Sequence, residues 1–231
     1  MNIDLPKGCI VILARGGSKG IANKNMVDVF GHPLIYYVLS ESLKFDKLDV
    51  FVSSDNKKIL NFSKSLGAKT ILRPEDISGD LSPDIEGFRH FFQKFENTCA
   101  NNFRLTFPLI TDKIIDDANS IFLENYSEFD SLRSMIPSKQ NPYKMWHVNG
   151  DCAETVIEGN TLHSMPRQVI EKTYIQNACI DITKRKSVLQ LNSMTGNRCR
   201  PYLMDDSYNI DIDNKQDLQE AIDAIRFRNG E

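Results

Sequence analysis

Tryptophan occurs once in the 231 residues, histidine four times and cysteine five times. The cysteines (Cys9, Cys99, Cys152, Cys179 and Cys199) are odd in number and form no C-x-x-C pair. Their scatter argues against a disulfide framework or a zinc site and points to a reducing cytoplasm. No two histidines have H-x-x-x-H spacing, so each reads as a surface or satisfied structural residue rather than a ligand. Long apolar runs are also missing: none approaches the roughly 20 residues that cross a bilayer, and Arg15 cuts the first one short. That run reads as a buried strand, not a signal peptide, and no membrane partner is expected. Positive charge is not in excess, since 28 Lys and Arg against 31 Asp and Glu leave a net charge of −3. Nothing therefore marks nucleic acid as a partner. There is no internal repeat and no low-complexity linker.

With 41% hydrophobic and 26% charged residues, the chain fits one large globular domain with at most a smaller appendage. "CIVILA" reads as a fully buried strand of a parallel sheet. "HPLIYYVLSESLKF" has helical spacing after Pro33, "DVFVSSD" is a second strand, and "NKKILNFSKSLG" a second helix that Gly67 ends. "KTIL" is a short strand, and "DIEGFRHFFQKF" lays Ile85, Phe88, Phe92 and Phe95 along one helical stripe. "FRLTFPLI" reads as extended, "DKIIDDANSIFLENY" as helix and "DSLRSMI" as extended. The alternation predicts an α/β fold with a doubly wound, mostly parallel sheet, Rossmann-like in the manner of nucleotidyltransferases. From about Pro137 the texture changes to Pro, Asn, Gly and short extended pieces such as "YKMWHV" and "AETVIEG". The expected division is a nucleotide-binding α/β domain over 1–137 and 191–231, with a small β-rich excursion over 138–190. "SYNIDIDNKQDLQEAIDAIRF" returns to strand and then helix.

The stretch that carries chemistry follows the first strand: "LARGGSKGIANKN". Arg15, Lys19 and Lys24 cluster around Gly16 and Gly17, where backbone N–H groups can approach a dense negative charge. Two familiar phosphate cradles are excluded. A Walker loop needs G-x-x-x-x-G-K-[ST], and the chain has no Gly-Lys dipeptide. A dinucleotide fingerprint needs G-x-G-x-x-G, whereas the glycines here stand at 16, 17 and 20. Near the C-terminus, "IDID" puts Asp211 and Asp213 two apart on a strand, hence on one face. Such a pair suits Mg²⁺, which takes a couple of carboxylates plus phosphate oxygens, although a lone D-x-D is also a common acidic strand face.

"LARGGSKGIANKN" resembles the signature loop of the CMP-sialic acid synthetases, the acylneuraminate cytidylyltransferases. "GHPLIYYVLSES", "DVFVSSD", "GAKTILRPEDISGD" and "NIDIDNKQDL" match further family segments in the same order, so the resemblance spans nearly the whole chain. It implies a phosphate- and nucleotide-binding loop over Ala14, Arg15, Gly16, Gly17, Ser18 and Lys19, with Arg15, Ser18 and Lys24 on the phosphates. It also implies Asn25 on the nucleotide sugar, Arg73 on the cytosine, and Asp211 with Asp213 on the divalent metal. "NPYKMW" and "PRQVIEKTYIQNACIDI" resemble the family's dimer-forming segment. The resemblance there implies a homodimer in which Lys144 and Arg167 face the sugar acid bound by the neighbouring subunit, with Asn177 also on the sugar. Tyr143 and Trp146 read as interface aromatics.

The sequence departs from the family pattern in its sugar half. Against Gln-Pro-Thr-Ser-Pro-Leu-Arg, "RLTFPLI" has Arg104 for Gln, Phe107 for Ser and Ile110 for Arg. The family's Asn-Gly appears as Asn177-Ala178. The resemblance thus implies transfer of CMP from CTP to a nine-carbon 2-keto sugar acid of sialic, legionaminic or pseudaminic type. An eight-carbon acid, a sugar phosphate, or a nucleotide-binding protein with weakened turnover are the alternatives. No His or Cys stands in an obvious position for the general base.

Overall fold

The computed structural model describes residues 7–17, 20–102, 107–208, 212 and 214–229. Its frame is a seven-stranded sheet. Strand β1 (Cys9–Leu13) is entirely apolar, and Cys9 to Ile12 are fully buried. Alternation along it feeds both faces, as a strand covered on both sides requires. Ile10 and Ile12 join one core and Cys9 and Val11 the other. A short hairpin, β2 (Asp28–Val29) with β3 (His32–Pro33), leads into α1 (Leu34–Lys44), which starts directly after Pro33. Strand β4 (Asp49–Ser54) pairs in parallel with β1. Asn56 then caps α2 (Lys57–Ser65) by accepting from the Lys58 N–H at 2.8 Å. Gly67, at φ 107°, follows that helix where a left-handed residue lets the chain turn away. Strand β5 (Lys69–Leu72) and α3 (Asp84–Lys94) complete this half.

Strand β6 (Cys99–Asn102) pairs with the other side of β1. It ends before the segment expected to be extended. Of that segment, 103–106 lie outside the described residues and 107–110 form a turn around Pro108, which lacks the N–H a central ladder needs. Helix α4 (Asp112–Glu124) is capped by the Thr111 side chain, and β7 (Ser131–Pro137) follows. Strands β8 (Trp146–Asn149) and β9 (Cys152–Thr155) form a separate antiparallel hairpin. Strand β10 (Tyr174–Lys184) then enters the main sheet antiparallel, between β6 and β7. Within the 138–190 segment, β10 thus belongs to the main sheet, and its buried residues Cys179, Ile180 and Ile182 join the central core. Helix α5 (Arg185–Leu189), edge strand β11 (Cys199–Leu203) and helix α6 (Lys215–Asn229) finish the chain. The sheet order is β11-β7-β10-β6-β1-β4-β5, parallel except at β10.

Two helical layers cover the sheet, as expected for a doubly wound fold. Helices α1 and α4 pack Ile35, Leu39, Ile115 and Phe122 on one face. Helix α3 packs Phe88, Phe91 and Phe92 on the other, with Val188 of α5. Helix α6 adds Ala221 and Ile225 to a third cluster with Val29, Leu34 and Ile212. At the far edge, Asp130 docks β11 by accepting from the N–H groups of Asn197 at 3.0 Å and Arg198 at 3.3 Å, and from Lys186 at 2.9 Å. These bonds, Lys186 first, hold its carboxyl below the ordinary value. No helix among the described residues is long and apolar enough to cross a membrane.

Ala178, buried in β10, sits at φ 54°. A Cβ in this left-handed region costs about 1 kcal/mol, which glycine avoids. Ala178→Gly relieves that strain but gives back about 0.4–1 kcal/mol through the looser unfolded chain, so it should be near neutral, with Tm within roughly 2 °C of the parent for a chain of this size. A thermal melt showing Tm lowered by clearly more than that would contradict the strain.

Candidate active site

The parallel strands β1, β4 and β5 all deliver their C-terminal ends to one edge of the sheet, where α/β proteins bind ligands. The loop leaving β1 is bound there by carboxylates. Ala14 N–H donates to the Ser53 carbonyl at 2.9 Å, and Gly16 N–H donates to Asp55 Oδ1, just beyond β4, at 2.8 Å. Arg15 pairs with Asp80 at 2.5 Å, each side chain about one-third exposed. Asn25 is buried, and its Nδ2 donates to the Arg15 carbonyl at 2.9 Å, so it braces the loop from behind. Lys24 Nζ donates to the carbonyl of Ile212. Ile212 stands between Asp211 and Asp213 in sequence, so this bond joins the cationic loop to the acidic segment from the other end of the chain. Ser18, Lys19, Arg104, Asp211 and Asp213 lie outside the described residues.

The two loop glycines do different things. A Cβ on Gly16 would come within 2.9 Å of Asn56 Cβ and Nδ2, because the loop rests on the start of α2. A Cβ on Gly17 would meet nothing within 4 Å, and Gly17 is exposed.

Arg73 follows β5 and is 6% exposed. Its N–H donates to the Ser54 carbonyl at 2.8 Å and its Nε to Ser78 Oγ at 2.9 Å. Burial pushes the guanidinium below its ordinary value, with Arg15 acting in the same direction, while Asp55 and Asp84 pull it back up. Gly87 of α3 makes room for this group, since a Cβ there would stand 3.1 Å from Arg73 Nη1. Arg73 thus lies behind the loop as a buried positive centre facing the carboxylate that holds Gly16.

The residues expected on the sugar are spread more widely. Asn177 is buried in β10, and its Nδ2 donates to the Tyr208 carbonyl at 3.1 Å, at the approach to the acidic segment. Lys144 Nζ donates to the carbonyls of Met165 at 2.8 Å and His163 at 3.0 Å, tying the excursion to itself. Arg167 is exposed and lines a cavity of about 340 Å³ with Lys139, Ile170, Lys172 and Tyr174. Two departures from the family pattern are absorbed as packing. Phe107 stacks on Tyr208, and Ile110 is fully buried in the core with Ile114.

The sequence matches the cytidylyltransferase family over residues 9–193, which includes the cationic loop, Arg73 and β10. The chain belongs to that family. An N-acylneuraminate cytidylyltransferase of Streptococcus agalactiae serotype V is 26% identical over 227 residues, covering 96% of this chain and 54% of the relative. The chain thus spans about half the length of that relative. A post-translational flagellin modification protein B of Campylobacter coli is 27% identical over 228 residues, with 94% of each chain covered. Among solved structures, a CMP:2-keto-3-deoxy-manno-octonic acid synthetase complexed with CTP has the same fold. Its TM-score is 0.73 at 15% identity, with 96% of this chain and 99% of that one covered.

Three residues that hold this candidate site together are not legible in the sequence alone: Asp55, Asp80 and Asp84. Each lies inside or just beyond a stretch already matched to the family, yet no spacing rule says that Asp55 receives the Gly16 N–H or that Asp80 meets Arg15. The one available signal was a carboxylate directly after a buried strand, as in "SSD". The glycine contrast is testable by urea unfolding. Gly16→Ala should cost roughly 1–3 kcal/mol through overpacking against Asn56. Gly17→Ala should stay within about 0.5 kcal/mol, as surface changes do. Equal losses at both positions would mean that Asn56 yields freely.

Proposed function

We propose that the chain transfers a cytidylyl group from CTP to a nine-carbon 2-keto sugar acid of sialic, legionaminic or pseudaminic type, releasing pyrophosphate. The observation that carries this reading is the bond from Lys24 to the Ile212 carbonyl, which ties the cationic glycine loop to the residue that stands between Asp211 and Asp213 in sequence, in a chain of the cytidylyltransferase family. The N-acylneuraminate specificity in the name of the Streptococcus relative supports the acceptor. In the reaction the anomeric oxygen bonds to the α-phosphorus. The bond from that phosphorus to the bridging oxygen breaks, pyrophosphate leaves with the electron pair, and the hydroxyl proton passes to water.

Arg15 and Lys24 stabilise charge on the departing pyrophosphate, and Arg15 exchanges its exposed Asp80 contact for phosphate oxygen at little cost. Gly17, with open space around it, allows the backbone to approach a phosphate. Arg73 orders the cytidine side through the loop, and Asn25 holds the Arg15 backbone in place. Asp211 and Asp213, which flank Ile212 in sequence, suit Mg²⁺ by donor type, and the ion when bound would supply screening of the phosphate charge. Positioning and electrostatics then supply most of the rate.

Mg²⁺ with CTP should raise Tm more than Mg²⁺ with UTP, ATP or GTP. Arg15→Ala and Lys24→Ala should each lower kcat for pyrophosphate release by roughly 10²–10³-fold with the fold intact. Equal shifts by all four nucleotides would remove the cytidine assignment. A normal kcat with a raised KM would leave the loop as a collector of substrate only.

The same reading includes a homodimer. Trp146, Val148, Val169 and Ile175 are all exposed on or beside the excursion, at 47%, 73%, 63% and 53%. Such a surface suits an interface with a second copy, which would carry Arg167 and its cavity toward the neighbour's sugar site. If the site is shared, mixing Lys24→Ala chains with Arg167→Ala chains should restore part of the activity after subunit exchange. A fully active monomer in analytical ultracentrifugation would remove the shared site.

A further inference from the structure

Strand β10 breaks its regular pairing at one place, and the break gathers charge. Against β7, Gln176 lies opposite Met135 and Asp181 opposite Arg133, with a shift of register between them. Gln176 and Asp181 are five residues apart, an odd spacing that sends side chains to opposite faces of a regular strand. The bulge, with Ala178 at φ 54°, brings both onto the face that carries Arg133. There the Gln176 amide joins the two charges. Arg133 Nη1 donates to Gln176 Oε1 at 2.6 Å, and Gln176 Nε2 donates to Asp181 Oδ2 at 3.0 Å. Asp181 is buried behind, with its Oδ1 at 3.9 Å from Arg133 Nε, while Gln176 and Arg133 keep part of their surface in solvent.

The place of this cluster in the sheet gives it a use. Asp181 pairs with Asn102, the last residue of β6, and Asn102 pairs with Val11 of β1. Because β10 runs antiparallel to β6, Gln176 lies toward the same edge as Arg15. The phosphate loop, Asp55 and Arg73 occupy the β1, β4 and β5 side of that edge. An acceptor approaching the α-phosphorus from the other side meets β6, β10 and β7. A charge pair of this kind adds little stability over apolar packing. Ala178, a non-glycine residue at positive φ, sits in the bulge that builds this geometry, and a strained residue of this kind points to a constraint on the turn.

We infer that Arg133 and Gln176 are specificity-determining contacts for the acceptor sugar acid, with Asp181 as the positioning residue behind them. The guanidinium donates to acceptor oxygens (hydroxyl, acyl carbonyl or carboxylate), and the Gln176 amide accepts from or donates to the neighbouring substituent. Asp181 and Gln176 fix the guanidinium's direction, so that only an acid with oxygens at the matching positions pairs with it. The inference rests on the cytidylyl-transfer reading.

The test measures pyrophosphate release by the full chain with CTP and a panel of keto-sugar acids: eight- and nine-carbon, hydroxylated and N-acylated. Arg133→Gln should raise the KM for the preferred acid roughly tenfold to a hundredfold, the scale of a hydrogen bond to a charged group. It should also reorder the panel while leaving the KM for CTP within about twofold. Asp181→Asn should shift the same acceptor KM in the same direction by less. Gln176→Ala removes a partly exposed side chain and keeps the test open if either charge variant fails to fold; it too should raise the acceptor KM alone. Variants that turn over with an unaltered acceptor KM and panel order overturn this inference and leave the reaction standing. A wild-type chain that releases pyrophosphate with none of the acids overturns the reaction and the inference together.

Discussion

The contact between Lys24 and the Ile212 carbonyl is the point on which the site turns. It spans 188 residues of sequence and links the first loop to the last segment before α6. A loop holding several cations repels itself unless carboxylates or carbonyls answer it, and each cation described here is answered by a different element. Arg15 meets Asp80 from the turn after β5, and Arg73 faces Asp55 just beyond β4 and Asp84 at the start of α3. The charges of the site therefore hold its elements in register as well as awaiting a ligand. Ile212 itself is fully buried against α6, which makes the acidic segment part of the core at that one residue.

Much of the fold was legible because its signals are local. Strand β1 is a continuous apolar run, α1 begins at a proline, α2 ends at a glycine with positive φ, and α3 carries its phenylalanines on one stripe. What escaped depends on partners distant in sequence. Strand β11 was not foreseen because "CRPYL" contains Pro201 and little apolar pattern, which an edge strand tolerates and a central one does not. The central place of β10 was hidden because its hydrophobic run follows the polar excursion, and nothing in its own text says that β6 and β7 flank it.

The cationic loop was legible in the same way, since its glycines and cations are contiguous. Its carboxylate partners were not, because adjacency of Asp55 to Gly16 and of Asp80 to Arg15 exists only once β4 and β5 lie beside β1. Gly16 shows the limit of reading composition for role. Beside cations it looks like a residue chosen for phosphate approach, yet its N–H is held by Asp55 and its missing Cβ is required by Asn56. Gly17, its neighbour, keeps open space where a Cβ would stand.

The two halves of the edge are thus built by different means. The nucleotide side is a run of short loops at the ends of three parallel strands, where each loop can be held by its neighbour's carboxylate. The other side depends on a single antiparallel strand whose bulge sets which face Gln176 and Asp181 present. A one-residue change of register there would move Gln176 away from Arg133, because side chains alternate between faces. Phosphate binding of the proposed kind would tolerate variation in such a strand, since its contacts would come from backbone and cations elsewhere. Discrimination among acceptors would not, since a pocket wall is specific only to the extent that its directions are fixed. The departures from the family pattern follow this division: Phe107 and Ile110 are absorbed by the core beneath the edge, and Ala178 holds the strained turn of the bulge. Under the proposed reaction, a family member would in this way keep its nucleotide chemistry while residues of β7 and β10 changed the acid it accepts.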